Sequence, residues 1–264
     1  EVTLQHLFDH ALSTASDLNL HLPKLLDLAK ESPRILDIAT RNQSTVAFLH
    51  ANPKRLVSLN SAKGNDPVLD ALESRAGETT LTIAKADCMA YDPEEVDLLF
   101  IDEVHTADRA FAQLDRFGTK TTRYIVLHDT VVFGESGEGG GPGILPAVRR
   151  WLKGRPEWSV IYHTREQHGL TVLGCRPEDQ PSLPNIARQG WTYAKAILYH
   201  VASGAQLASG EEIDRRLGVC QLCPQRTGNR CSECGCYLDE DPGSGREGKA
   251  LWLESECPLG KWMQ

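Results

Sequence analysis

No run in this 264-residue chain approaches the roughly 20 consecutive apolar residues that a membrane-spanning helix needs. No basic segment leads into an apolar stretch near the start, so no secretory signal is read there. Long Lys/Arg runs are also missing. The 28 basic residues face 36 acidic ones, for a formal net charge of −8. An acidic chain without a basic run is a poor holder of nucleic acid by bulk charge. Cysteine is scarce for most of the length: Cys88 and Cys175 are the two in the first 219 residues. These absences lead to the expectation of a cytoplasmic protein that acts on a small molecule, with no membrane and no nucleic-acid partner. The length suits one large domain and a small appendage.

The appendage is where cysteine concentrates. Cys220, Cys223, Cys231, Cys234, Cys236 and Cys257 all fall in the last 45 residues. Six Cys in a short segment can be a disulfide framework, but Cys220-Gln-Leu-Cys223 and Cys231-Ser-Glu-Cys234 are two C-x-x-C pairs. Each pair can offer two thiolates from a tight turn, and two such turns complete a tetrahedral four-sulfur site. Six thiols exceed the four one ion needs, which leaves one zinc with two spare Cys, a two-zinc cluster, or an iron–sulfur cluster; zinc is the choice. The segment is too short and polar to build a core, so metal would supply its folding free energy. Trp252 and Trp262 are expected to pack beside the site. From Ser209 onward ten acids face seven bases, which points to protein contact or structure rather than phosphate binding.

The first 175 residues alternate apolar runs with helical stretches. Strands are expected at Arg34–Ile38, Arg55–Leu59, Thr80–Ala84, Val96–Ile101, Tyr124–Leu127, Val160–His163 and Leu170–Leu173. Helices are expected at Thr3–Ser13, Pro23–Ala29, Ser44–His50, Pro67–Ala76, Ala107–Phe117 and Gly143–Leu152. Continuous Val/Ile/Leu runs separated by helices indicate a parallel sheet covered on both faces. The last two strands lack an intervening helix and read as an antiparallel hairpin. The fold class is therefore α/β: a doubly wound, Rossmann-like sheet ending in an antiparallel hairpin, plus a small Cys-rich module. The divisions are N-terminal helices over 1–32, the α/β domain over 33–175, a linker and connector helix over 176–208, and the Cys-rich module over 209–264. The connector, Ile186 to about Ala205, carries an apolar stripe (Trp191, Ala194, Ile197, Leu198, Val201) expected to pack on the main domain or on a second subunit.

In such sheets ligands bind at the carboxyl ends of the strands. Those ends carry Asp37-Ile38-Ala39, Asn60, Asp87-Cys88, Asp102-Glu103-Val104-His105 and His128-Asp129-Thr130. Asp102 and Asp129 could simply cap the segments after them. His128 could be an interior histidine bonded to a carbonyl, and His105 could cap the helix near Ala107. His163 and His168, near the hairpin, read as structural or exposed. The Gly-rich stretch Gly134–Gly143 lacks the features of a phosphate-binding loop and is either a mobile flap or a solvated connection, with Glu135 and Glu138 set to repel an anionic substrate.

Ile35-Leu36-Asp37-Ile38-Ala39-Thr40-Arg41 leading to Ser44-Thr45, Phe100-Ile101-Asp102-Glu103-Val104-His105, Leu127-His128-Asp129-Thr130, and Gly143-Ile144 through Arg149-Arg150-Trp151 together carry a resemblance. From about Pro33 to Cys175 the chain resembles the class I S-adenosylmethionine-dependent methyltransferases. Within them it resembles the branch that includes cephalosporin-hydroxylase-type proteins and metal-dependent sugar O-methyltransferases. The resemblance implies an O-methyltransferase acting on a hydroxyl of a sugar or small metabolite. Asp37 and Ala39 would face the methionine part of S-adenosylmethionine, Asn60 the ribose and Asp87 the adenine amine. Mg2+ or a similar ion would sit among Asp102, Asp129 and His128, with Asp102 and His105 catalytic and His105 the general base. Two departures keep a second reading open. Ala39 stands where the family has Gly, and Asn60 where it has an acid. A chain that has lost its cofactor and docks a partner protein through the Cys-rich tail is that alternative. Homo-oligomerisation is open in both.

Overall fold

The computed structural model describes residues 3–60, 67–155, 157–175, 183–227, 229–239 and 247–263. Most of the expected linker, 176–182, lies outside the described residues. The chain divides into two compact units. One is Glu1–Arg155 with Thr164–Cys175, and the other is Pro156–His163 with Arg176–Gln264.

The elements of the α/β part take the expected order: α1 Leu4–Ser13, α2 Leu22–Lys30, β1 Arg34–Ala39, α3 Gln43–His50, β2 Arg55–Asn60, α4 Pro67–Glu73, β3 Thr80–Ala84, β4 Val96–Asp102, α5 Ala107–Phe117, β5 Thr121–His128, α6 Ile144–Leu152, β6 Ser159–Thr164 and β7 Leu170–Gly174. The strands lie in the order β3-β2-β1-β4-β5-β7-β6. β1 to β5 run parallel, and β7 enters antiparallel beside β5. This is the doubly wound, Rossmann-like sheet that the apolar runs predict.

The core explains the runs. Ile35, Leu36 and Ile38 of β1, Leu98, Leu99 and Phe100 of β4, and Ile125, Val126 and Leu127 of β5 are all buried. Strands covered on both faces need apolar side chains at every position rather than alternate ones. Phe48 of α3 meets Phe100 edge-on at 5.6 Å. Helices α1, α2 and α3 pack together, as do α5 and α6. β5 begins three residues earlier than its apolar run, because Thr121 pairs with Val96 of β4 and Thr122 hydrogen-bonds Asp97 at 2.9 Å. Polar β-branched residues extend the strand where hydropathy does not mark it.

The parallel register does the positioning. Ala39 pairs with both Asn60 and Asp102, and Ile101 pairs with Leu127. The ends of β1, β4 and β5 therefore stand side by side. The chain leaves β1 toward β2 and returns at β4, so this is the switch point where such sheets bind ligands. His128 pairs with Leu170, which brings the turn before β7 to the same place.

The second unit carries α7 Ile186–Ala202, α8 Gly210–Gln221 and a minimal hairpin, β8 Arg226–Thr227 with β9 Arg230–Cys231. Among the described residues of this unit Trp191, Leu198 and Val201 of the α7 stripe are exposed. α8 runs to Gln221, so Cys220 sits on a helix end rather than in a free turn.

Candidate active site

The strand ends gather four histidines and two aspartates. Asp102, at the end of β4, has its Oδ1 3.1 Å from His128 Nδ1. Asp129 comes directly after His128 and takes a left-handed backbone, φ 59°, which few non-glycine residues adopt, Asp and Asn among them. That turn at the strand end sends its carboxylate back beside Asp102. His105 Nε2 lies 3.0 Å from Asp129 Oδ2 and 3.5 Å from Asp102 Oδ1. It is buried and makes no hydrogen bond of proper geometry among the described residues. Its other nitrogen, Nδ1, donates to Glu138 at 2.6 Å, and the ring stacks on Phe133 at 4.8 Å. Thr106, not His105, caps α5.

Burial works against charge on both imidazoles. For His105 the carboxylates of Asp102, Glu138 and Asp129 outweigh it, and for His128 those of Asp102 and Asp129 do, so both pKa values are raised. Burial likewise works against the Asp102 carboxylate. His105 and His128 overcome it and hold Asp102 well below the usual range.

Two members escape a reading of the sequence. His168 reads there as structural or exposed, yet its Nδ1 stands 2.9 Å from Asp129 Oδ1. The placement depends on β7 pairing with β5, where Val131 N donates to His168 O at 2.8 Å. Gly169, at φ +89°, permits the close pass, since any Cβ there would meet Val131. His21 lies in a 3-10 turn before α2 and is 2% exposed. It meets His128 edge-on at 5.6 Å. Burial, reinforced by His128, lowers its pKa to about 4. The signal for both is faint: lone histidines, His21 between two leucines and His168 in a polar turn, with no periodicity pointing inward.

The Gly-rich stretch is exposed at most of its positions. It is a folded turn, with Ser136 bridged to Pro142 and Gly137 N donating to Gly141 O at 2.7 Å. Glu138 N donates to His105 O, and Ala107 N to Pro142 O. Gly137 is required by this approach, because a Cβ would lie 2.4 Å from His105 O. Glu135 pairs with Arg149 through two 2.6 Å hydrogen bonds, and Glu138 with His105. Neither acid is left to repel a substrate.

The expected cofactor residues fare differently. Asp37 is fully buried and accepts from Ser44 at 3.0 Å and Thr45 at 2.6 Å, with burial raising its pKa to about 7. It ties the first turn of α3 to β1. Ala39 is buried at the end of β1. Asn60 ends β2, and its side chain lies outside the described residues. Asp87 is held by the Arg109 guanidinium at 2.6 Å, and its pKa is lowered by that contact. Asp87, Cys88 and Glu103 form a metal-like group, but Arg109 already fills it, 2.8 Å from Glu103. The crevice offers one fitting feature. α3 begins at Asn42 without a side-chain cap, and Gln43 Oε1 is buried with no hydrogen-bond partner among the described residues. Free amides at a helix start suit a carboxylate, and the orphan amide oxygen suits an ammonium. Both are carried by the methionine part of S-adenosylmethionine.

The cysteine module is organised around a cavity. Cys220, Cys223, Cys231, Cys234 and Cys257 line it with Trp262. Cys236, expected among the ligands, is wholly buried in the same cluster as Cys220, Cys231 and Cys234, with Leu238 and Ala250, and its N–H donates to Cys234 Sγ at 3.4 Å. None of the eight cysteines is joined in a disulfide. Cys223 N donates to Cys220 O, and Gly235 N to Cys231 O, closing the two C-x-x-C turns. Gly235 needs its φ of +70° for the second of them. Trp262 Nε1 donates to Cys220 Sγ and Lys261 Nζ to Cys223 Sγ, both at 3.3 Å. Burial pushes the Cys220 thiol up to about 12. Trp262 packs beside the sulfurs as expected, while Trp252 stacks on His200 at 4.8 Å.

No protein-family model matches the chain, and no curated protein matches it in sequence. Solved structures do match its architecture. A putative O-methyltransferase from Klebsiella pneumoniae is 18% identical, with 64% of this chain and 89% of that one covered at a TM-score of 0.46. An O-methyltransferase from Bacillus cereus in complex with SAH is 16% identical, covering 66% and 90% at 0.48. The N-methyltransferase NodS from Bradyrhizobium japonicum, also with SAH, is 13% identical, covering 67% and 100% at 0.46. These likenesses assign no residue role to the chain. Among the described residues no helix is long and apolar enough to cross a membrane.

Proposed function

We propose that the chain is an S-adenosylmethionine-dependent O-methyltransferase that acts on a hydroxyl of a sugar or small metabolite with the help of a divalent cation. One observation carries this reading: a buried imidazole nitrogen, His105 Nε2, is aimed at two carboxylates at the switch point of a methyltransferase-type sheet, with an uncapped helix start beside β1. S-adenosylmethionine, when bound, supplies an electrophilic methyl on sulfonium sulfur, and a cation at Asp102, His128 and Asp129 would hold a substrate hydroxyl and acidify it. His105 Nε2 would accept the proton of that hydroxyl. Glu138 holds the opposite nitrogen, so the accepting lone pair stays on the reaction side. The amides of the α3 start and Gln43 bind the methionine part.

We assign zinc to the tail, because four buried thiols and the half-buried Cys257 around one cavity, three of them receiving N–H donors, fit a thiolate-bound ion. The module then serves as a structural or partner-docking element, and the free thiols suit the cytoplasm. A second reading, loss of the cofactor with retention of the fold, draws on Asp37 and Asp87 being engaged internally. Calorimetry with S-adenosylhomocysteine separates the two. Binding in the micromolar range is expected, and no heat at millimolar ligand would sink the enzyme reading. His105→Gln should leave that binding unchanged while lowering methyl transfer by about 10²–10⁴-fold.

A further inference from the structure

The tautomer of His128 narrows what the cation can be. Its Nε2 stands 2.9 Å from the Asp17 carbonyl oxygen. A carbonyl only accepts, so Nε2 carries the proton and the lone pair of the neutral ring is on Nδ1. That lone pair looks at Asp102 Oδ1 at 3.1 Å and Asp129 Oδ1 at 3.6 Å. The ligand atoms of the three residues lie within 4.8 Å of one another, and all three residues are buried. Three electron-pair donors thus converge with no hydrogen of their own between them. Ligand atoms about a cation bound at about 2.1 Å stand about 3.0–3.4 Å apart, close to the 3.1 Å and 3.6 Å between His128 Nδ1 and the two carboxylates.

The supports are those of a metal centre too. His128 gives its outer N–H to a backbone carbonyl, the usual outer contact of a ligating imidazole. Asp129 is steadied by His168. The Asp17 carbonyl belongs to a loop that is itself tied down. Ser16 Oγ accepts from Asn19 N, and Gln167 Nε2 donates to Ser16 O at 2.8 Å.

Resting on the reading that a divalent cation sits at these strand ends, we infer that the ion is a borderline transition metal of the Fe2+, Co2+ or Zn2+ kind rather than Mg2+. His128 Nδ1 is the selecting ligand, and the Asp17 carbonyl positions it. Mg2+ demands oxygen ligands in a near-ideal octahedron and gives up water reluctantly. Imidazole nitrogen favours zinc, iron, nickel and copper. The Mg2+ expected from the sequence resemblance is thereby revised by the His at position 128.

The test uses the full chain and the metals alone. Co2+ and Mg2+ are each titrated into the wild type and into an Asp102→Asn/Asp129→Asn double variant. Asn tolerates the left-handed turn at 129. Binding that survives in the double variant belongs elsewhere, the cysteine tail included. The expected result is a variant-sensitive site that holds Co2+ at least about 100-fold more tightly than Mg2+. In His128→Asp, Co2+ affinity falls by about 10–100-fold and Mg2+ comes within about tenfold of it. Wild-type Mg2+ affinity equal to that of Co2+, or an unchanged ratio in His128→Asp, would overturn the inference. If His128→Asp loses its circular dichroism, His128→Asn makes the same comparison. Absence of any variant-sensitive binding overturns both the cation reading and this inference. S-adenosylhomocysteine titrated in parallel reports separately on the methyltransferase reading.

Discussion

The chain holds two groups of metal-competent side chains, and they are built in opposite ways. At the strand ends every group is fixed by the sheet and its loops. Asp102 and His128 sit side by side because β4 and β5 are in register, and Asp129 is turned inward by its backbone. His105 is fastened by Glu138 and Phe133. In the tail the thiols hang on the end of α8, a two-residue hairpin and irregular chain, around an apolar cluster of little more than Leu238, Ala250 and Trp262. Burial there disfavours the thiolates, as the Cys220 thiol pushed to about 12 shows. The two regions therefore draw their folding energy from different sources. The sheet holds its candidate ligands in place by itself, so an ion proposed there would be a reagent, whereas the ion proposed for the tail would be part of the fold.

The largest expected effect tests that contrast directly. A strong chelator should remove hydrogen-exchange protection from the amides of Cys223, Cys231, Leu238 and Ala250, which bond within the tail. Amides of β1 and β4 should remain protected. Structural zinc in small modules contributes about 10–16 kcal/mol, more than so small a core could replace. Tail amides that stay protected without metal would break the contrast, and so would a sheet that loosens in parallel.

How much of this could be read from the residues differs between the two regions as well. Element order and type come from hydropathy, because a sheet covered on both faces leaves unbroken apolar runs. Asp102, His105, His128 and Asp129 emerge from asking what ends each strand. His168 does not, because its place depends on β7 pairing with β5, a contact across some forty residues that no local pattern encodes. His21 is hidden in the same way, in a loop whose position is set by Gln167. The role of Asp37 is masked for a chemical reason: Ser44 and Thr45 look like ordinary helix-start residues, yet their hydroxyls turn back to the carboxylate. Tail chemistry is legible from spacing alone, but the burial of Cys236 against Leu238 and Ala250 is not.

A smaller effect sharpens the claim that the sheet unit carries polar groups at its own expense. Asp37 is fully buried, its pKa raised by that burial to about 7 against an ordinary 3.8, with three hydroxyls opposing the rise. The folded state therefore keeps a proton that the unfolded chain releases above about pH 4. Stability contributed by this group is complete below pH 4 and is lost as pH rises toward 7. By the linkage relation the change is about 4 kcal/mol. Asp37→Asn should remove this slope, so that its stability relative to wild type improves by that order between pH 4 and pH 8 in urea unfolding. Parallel pH profiles for the two proteins would show that Asp37 is ionised in the fold.

His21 gives the smallest effect and the opposite sign. Burial first, then the neighbouring His128 and His168, lower its pKa to about 4, against a partial offset from the Glu166 backbone. Between pH 6.5 and 4 the unfolded chain takes up a proton that the folded one refuses, so stability falls as the solution is acidified through that window. His21→Gln should flatten the acid limb of the stability profile and leave the limb above pH 7 untouched. Chelation should not move either result, because neither His21 nor Asp37 depends on zinc in the tail. An acid limb that shifts when the tail is stripped of metal would mean that the two regions share one folding unit, and the contrast between them would fail.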